Sequence, residues 1–351
     1  MRTESFIGLD IHSSFTEMAV VNTSGQITAR TRCDTTIPDI VEVLQSVRRP
    51  RSLTLEEGPL AGWLARNLRQ HVDRLIVCDP RRNHWIAKEG DKDDDIDAEK
   101  LANLLRGGFL KEVHQNDTLE RAILKQHVAF YHDRVRERVR QGHQVVALLR
   151  RQGIFAGISQ LHDEQDRPRL LKKLPRSKVL LADFDLLWNA YELLLKQEAE
   201  LREGLIHLAR KESQVRRFIQ VPGIAWIRGI TFFVYIDTPH RFPTKSALWR
   251  YSGIGLERKR SGQGPTKIRL AQGANRRLKD VLMGAAKTAS AAGDNPFADK
   301  YHYWTQEEGE HPSTARRNVA RCLASVLWSM WKTGSAYDPA RIRGVGRPSL
   351  T

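Results

Sequence analysis

The sequence predicts an α/β domain, then a segment of long helices, then a mainly helical carboxyl-terminal domain. Three observations predict it. Short apolar runs of strand type open the chain and alternate with helix-patterned segments through about residue 110. Past Asp117, apolar residues recur every three or four positions, and later every seven, amid many arginines. Beyond residue 213 come apolar helical segments separated by Pro- and Gly-containing turns and a dense basic stretch.

In chain order, "SFIGLDI" is a short apolar strand. "TEMAVVN" and "QITARTR" continue it, joined by the turn "TSG". "IPDIVEVLQSV" has helical spacing at Ile40, Val41, Leu44 and Val47. "SLTLEE" reads as a strand, "AGWLARNLRQHV" as a helix, and "RLIVCDP" as a strand stopped by Pro80. Three successive strands followed by alternating helix and strand is a ribonuclease H-like order. "DTLE" can form a capping box for a long amphipathic helix carrying Leu124, Val128, Tyr131, Val135 and Val139. "DRPRLLKKLPRSK" breaks that pattern. A second long helix follows, with Leu187, Leu194, Leu201 and Leu208 spaced by sevens. The pair reads equally as an intramolecular hairpin or as a dimer seam. "VPGI" resembles a helix-hairpin-helix turn, but the motif is short and an ordinary turn before the very apolar "AWIRGITFFVYI" is the simpler reading. From Glu257 to Lys279 there are eight Lys and Arg against one Glu. The closing helix, about Ser313 to Lys332, puts Val319, Leu323, Val326 and Leu327 on one face, with Arg316, Arg317 and Arg321 elsewhere.

Composition narrows the function. Of 351 residues, 40% are hydrophobic and 28% charged, which allows a sizeable core. Lys and Arg number 57 against 41 Asp and Glu, a net charge of +16. That excess favours a polyanionic partner, with nucleic acid ahead of an acidic membrane surface. No apolar run reaches the ~18 residues of a membrane span, and "MRTESFIGLD" has no signal-peptide core. Cys33, Cys78 and Cys322 are far apart and show no CxxC, so they read as reduced thiols of a cytoplasmic protein.

The acids form a pattern. Asp10 ends the first strand and Glu56 the fourth, with Glu57 as a competitor on the opposite strand face. "DKDDDIDAEKL" supplies Asp94 and Asp97, three apart on or entering a helix. Carboxylates from three element ends can converge, and such a set repels itself unless a cation neutralises it. Hard oxygen donors suit Mg²⁺ or Mn²⁺. Far along the chain, "RKRSGQGPTK" places Ser261 between basic residues and glycines. Locally it is a basic loop or a nucleophile beside a phosphate.

With those residues in view, the chain resembles the DEDD transposases and recombinases of bacterial insertion sequences, the insertion-sequence "one-ten" group with its Piv/MooV invertase relatives. The resemblance covers nearly the whole chain. It rests on "IGLDIH", "LEEG", "VCDPRRN" and "DDDIDAEKLANLL" in the first half, and on "VPGIAWIRGI", "ALWRYSGIGLERKRSG", "KIRLAQGANRRLKDVL" and "WKTGSAYDP" in the second. Many relatives carry E-x-x-G where this chain has Glu56-Glu57-Gly58, and a hydroxyl residue where it has Leu270. The resemblance implies a RuvC-like DEDD catalytic domain at 1–114, a coiled-coil dimerisation segment at 115–212 and a transposase domain at 213–351. It implies a catalytic set of Ser261 with Asp10, Glu56, Asp94 and Asp97, the four acids binding Mg²⁺ or Mn²⁺. Arg258, Lys259, Arg260 and Lys267 would neutralise the reacting phosphate. Arg269, Arg276, Arg277 and Lys279 would hold the nucleic-acid backbone, and Arg81, Arg82 and His84 could touch RNA or DNA near the acids. Expected partners are donor and target DNA, a structured guide RNA encoded by the element, and further copies of the chain, dimers assembling to tetramers. The expected location is the bacterial cytoplasm, at the nucleoid. Alternatives are a Piv-type site-specific invertase without a guide, and a metal-dependent RuvC-like nuclease.

Overall fold

A computed structural model of the chain describes residues 4–80, 94–116, 118–162, 165–259, 267–271 and 273–342. It comprises two compact units, Met1–Ala122 and Ile123–Thr351.

In the first unit, strands β1 (Ser5–Ile11), β2 (Phe15–Val21), β3 (Ile27–Asp34), β4 (Arg51–Glu56) and β5 (Arg74–Cys78) form one sheet. Its order is β3-β2-β1-β4-β5. The first three strands pair antiparallel, because Ser13-Ser14 and the Asn22–Gln26 turn are short enough only for hairpins. β4 and β5 run parallel to β1, each reached through a helical crossover. Those helices, α1 (Ile37–Ser46) and α2 (Ala61–Leu68), cover one face of the sheet. Thr36 caps α1 by accepting from Asp39 N–H at 3.3 Å. Ile7, Leu9, Leu53 and Leu55 from the sheet and Ile40, Leu44, Leu64 and Leu68 from the helices are fully buried between them. Helix α3 (Asp94–Gly107) covers the other face, through Leu101 and Leu105 against Ile76 and Cys78. Alternating strand residues therefore face two apolar layers, which is why these strands read as nearly continuous apolar runs.

Among its described residues, the second unit's regular structure is helical apart from one hairpin. Its helices are α4 (Leu119–Arg151), α5 (Asp166–Lys173), α6 (Lys178–Lys211), α7 (Ser213–Phe218), α8 (Trp226–Ile236), α9 (Lys245–Tyr251), α10 (Arg276–Ala291), α11 (Pro296–His302) and α12 (Pro312–Thr333). α4 and α6 pack antiparallel within the chain. Arg138 pairs with Glu198 at 2.5 Å, Gln141 donates to the Leu187 carbonyl at 3.0 Å, and Gly142 lies under Tyr191. Of the two readings of the heptads, the structure shows the intramolecular hairpin. The most buried positions of α6 are Phe184, Trp188, Tyr191, Leu205 and Ala209, with Leu187, Leu201 and Leu208 only partly buried. A straight helix drifts away from a strict seven-residue seam over this length. The cap of α4 also differs from the expected capping box. Thr118, one residue later than Asp117, accepts from Arg121 N–H at 3.3 Å, which makes Arg121 and not Glu120 the third helical residue.

α8 is apolar on all sides and forms the centre of the unit, buried from Gly229 to Ile236. The turn before it holds Pro222 and a left-handed Gly223 (φ 83°), with Ile224 N–H bonded to the Val221 carbonyl at 3.0 Å. A Cβ on Gly223 would sit 2.4 Å from the Ala285 carbonyl of α10, so only glycine fits. All three cysteines are free thiols. Among the described residues, no helix is long and apolar enough to cross a membrane.

Candidate active site

β1 and β4 are parallel neighbours at the middle of the sheet, in register through Leu9 and Leu55. One residue further on stand Asp10 and Glu56. Since Leu9 and Leu55 point into the α1/α2 core, strand alternation turns both acids to the α3 face. Both are half-buried. His12 Nε2 donates to Asp10 Oδ2 at 3.1 Å. Glu57 has left the strand: it is exposed, and its N–H bonds the Cys78 carbonyl at 2.8 Å.

The direction of α3 follows from glycine and arginine. A Cβ on Gly8 would lie 2.1 Å from the Ala98 carbonyl and 2.7 Å from the Ala102 nitrogen, so backbone meets backbone there. At the other end, Arg106 reaches the Thr23 carbonyl in the β2–β3 turn, beyond the Phe6 end of β1. α3 therefore runs antiparallel to β1, with its acidic start toward Asp10. Four helical residues from Ala98 back to Asp94 rise about 6 Å, close to the ~6.6 Å between Gly8 and Asp10 along the strand. Asp97 lies one residue before Ala98 and sits 3.7 Å from the Lys100 ammonium. The fold thus brings Asp10, Glu56 and the Asp94–Asp97 turn to one end of one sheet. Among the described residues, no three His, Cys, Asp or Glu side chains are gathered closely enough to hold a metal ion.

A fifth carboxylate stands beside this set and was absent from the sequence-based selection. Glu17 is the cross-strand partner of Asp10 and is 8% exposed. Arg32 Nε pairs with it at 3.1 Å and lays its guanidinium 3.6 Å above the Phe15 ring. Phe15 in turn stacks on His12 at 4.4 Å. A like charge opposite Asp10 would repel it, and Arg32 offsets that. The available signal was the alternation in "FTEMAVV": a glutamate on the inner face of a central strand demands a partner.

In the second unit, β6 (Leu256–Lys259) and β7 (Lys267–Leu270) pair antiparallel, ending at Lys259 opposite Lys267. Arg258, Lys259 and Lys267 therefore belong to this ribbon, at its outer end. Ser261 and Arg260 lie outside the described residues, between the two strands in sequence, as do Arg81, Arg82 and His84 of the first unit. The base of the ribbon is tied down. Ala271 N–H bonds the Gly255 carbonyl at 3.1 Å, and Arg321 Nε donates to the Ile254 carbonyl at 2.7 Å. Arg321, set apart from the apolar face of α12 in the sequence, is 7% exposed. Its guanidinium is also held by Asn318 Oδ1 at 2.9 Å, and burial lowers its pKa.

Arg269 and Arg276 are exposed and Lys279 is half-buried. Arg277 instead reaches Asp133 at 2.7 Å and the Tyr235 hydroxyl at 3.1 Å, fastening α10 to α4 and α8. Hydrogen bonds from Arg277 and Arg136 outweigh desolvation and hold the Asp133 carboxyl below its ordinary pKa.

A family model described as a DEDD-type IS110 transposase matches residues 7–154. A second, described as transposase IS116/IS110/IS902 family, matches residues 215–302. The first spans the acidic sheet end, the second the ribbon and α10. No curated protein matches the chain.

Proposed function

The chain belongs to the IS110-type transposase family, and from that premise we propose that it cuts and rejoins DNA through a covalent phosphoserine on Ser261, assisted by Asp10, Glu56, Asp94 and Asp97 of a RuvC-like unit. The observation that carries this reading is the placement of Asp10 and Glu56 at the carboxyl ends of adjacent parallel strands, with the acidic start of α3 directed to the same end. Glu57 is exposed and lies past the end of β4, which speaks against it in the second position.

The donor set fits a hard divalent cation, since it consists of carboxylate oxygens alone. Mg²⁺ or Mn²⁺ held by these four acids would neutralise the scissile phosphate and favour the serine alkoxide. The chain's own groups do the rest. Ser261 Oγ attacks phosphorus, one P–O bond to deoxyribose breaks, and the departing oxygen takes a proton. One phosphoester replaces another, so rejoining needs no ATP. Arg258, Lys259, Arg260 and Lys267 offset the added charge at phosphorus, and Gly262 and Gly264 admit the strand closely. Arg269, Arg276 and Lys279 hold phosphates along the duplex, and in the same reading a guide RNA selects the DNA and copies of the chain assemble as dimers and tetramers.

The test is a denaturation-resistant protein–DNA adduct. Wild type forms it with divalent metal. Ser261→Ala forms none while still binding DNA, and Asp10→Asn and Glu56→Gln lower it by at least about 100-fold. Cleavage by Ser261→Ala at the wild-type rate would mean that water, not serine, is the nucleophile. Sequencing RNA that copurifies with the protein tests the guide.

A further inference from the structure

The far end of the α4–α6 hairpin has its own small core. Val145, Val146, Leu149, Leu161, Leu170 and Leu174 close over Phe184, Trp188 and Tyr191. Around it the surface is basic. From Arg150 to Lys178 the chain carries eight Lys and Arg against three Asp and Glu. Two of those cations are committed, Arg167 to Asp185 and Glu192, and Arg169 to Asp166. The other six, Arg150, Arg151, Lys172, Lys173, Arg176 and Lys178, are exposed and make no ion pair among the described residues. Each lies within two residues of a side chain packed in this core, so all surround one end of the hairpin.

Four residues past Arg151, between two residues packed on the same core, is Phe155, 83% exposed. It is held up by its neighbours. α4 ends on a left-handed Gly153 (φ 74°), with Ile154 N–H returned to the Leu149 carbonyl at 3.0 Å. Ile154 and Ala156, on either side of Phe155, pack into the core. Gly157 N–H is bound by the Gln160 side chain at 2.8 Å. The segment is thus pinned on both flanks, and the phenyl ring points outward by alternation. An aromatic ring held in solvent on a segment with exposed cations that make no ion pair among the described residues matches the two chemistries of an unpaired nucleotide, an anionic phosphate and a base with an open π-face.

We propose that this hairpin tip binds a single-stranded stretch of nucleic acid, with phosphates on the six cations and one base stacked on Phe155. The site goes beyond the chemistry proposed at Ser261 and stands without it. Duplex DNA satisfies the cations and not the ring, because its bases are already stacked.

The test uses the full-length protein and fluorescence anisotropy with three probes: a single DNA strand, an RNA of the same sequence, and the DNA duplex. Phe155→Ala weakens binding of single strands about tenfold and leaves the duplex unchanged, and Phe155→Trp restores it. Replacing Arg150, Arg151, Lys172 and Lys173 together by Gln lowers the slope of log affinity against log salt for single strands by about 3. Whichever strand loses more to Phe155→Ala is the natural ligand, DNA or RNA. All substituted side chains are exposed, and an unchanged Tm confirms folding. Wild-type affinity of Phe155→Ala for both single strands overturns the stacked base, as does an equal loss on the duplex. An unchanged salt slope in the Gln variant overturns the site. Adduct formation on Ser261 is measured separately, so failure of one proposal does not disguise failure of the other.

Discussion

At the scale of the residue, His132 shows what burial does to a titrating group. Its Nε2 lies 2.9 Å from Thr231 Oγ1, and that hydroxyl donates to the Ile227 carbonyl at 2.6 Å, so the imidazole is the donor to threonine. Burial, and then the Arg277 charge, lowers its pKa from 6.5 to about 4. The folded state therefore resists protonation that the unfolded chain accepts. Stability from the neutral ring is complete above about pH 6.5 and is lost as the pH falls toward 4. At about 1.4 kcal/mol per pH unit, the loss is about 3 kcal/mol. Denaturant unfolding of wild type should show this decline, and His132→Gln should flatten it. Nothing in "FYHDR" announces this, since a histidine on a helix has no sequence signature of depth. The acids behaved differently. The strand-end positions of Asp10 and Glu56 were legible because each closes an apolar strand run, whereas the burial of Glu17 and of Arg321 depends on partners distant in sequence.

At the scale of the element, the placement of α3 depends on one missing side chain. Gly8→Ala would push a methyl into the Ala98 carbonyl, 2.1 Å away. The helix must then leave the sheet, and we expect a stability loss of about 3 kcal/mol in thermal or urea unfolding. Gly58→Ala, with open space around its Cβ, should stay within about 0.5 kcal/mol of wild type. If the acidic set is the active site, Gly8→Ala also removes activity without touching a carboxylate. The strands and helices of the first unit were readable in order, because two-residue alternation and short turns are local properties. The long helices were readable too, but their partner was not. Heptads in one sequence describe an apolar seam, and only the Arg138–Glu198 and Gln141–Leu187 contacts show that the seam closes within the chain.

At the scale of the whole molecule, a net charge of +16 is the largest single statement about partners. Binding to duplex DNA should fall steeply with salt. With six to ten phosphates neutralised, affinity drops roughly 10³- to 10⁵-fold between 50 and 200 mM salt, as anisotropy would measure. A flat salt dependence would rule out phosphate contact as the main source of affinity. The sequence by itself determined the alternation of strands and helices, the positive charge, and the family through its ordered motifs. These depend on neighbours in the chain or on sums over it. Only the tertiary structure decided that α3 lies antiparallel to β1 at Gly8, that Glu17 stands opposite Asp10, that Arg321 turns inward to the foot of the ribbon, and that Phe155 stands out in solvent. Each depends on which residues distant in sequence share a packing surface, and composition and periodicity carry no record of that.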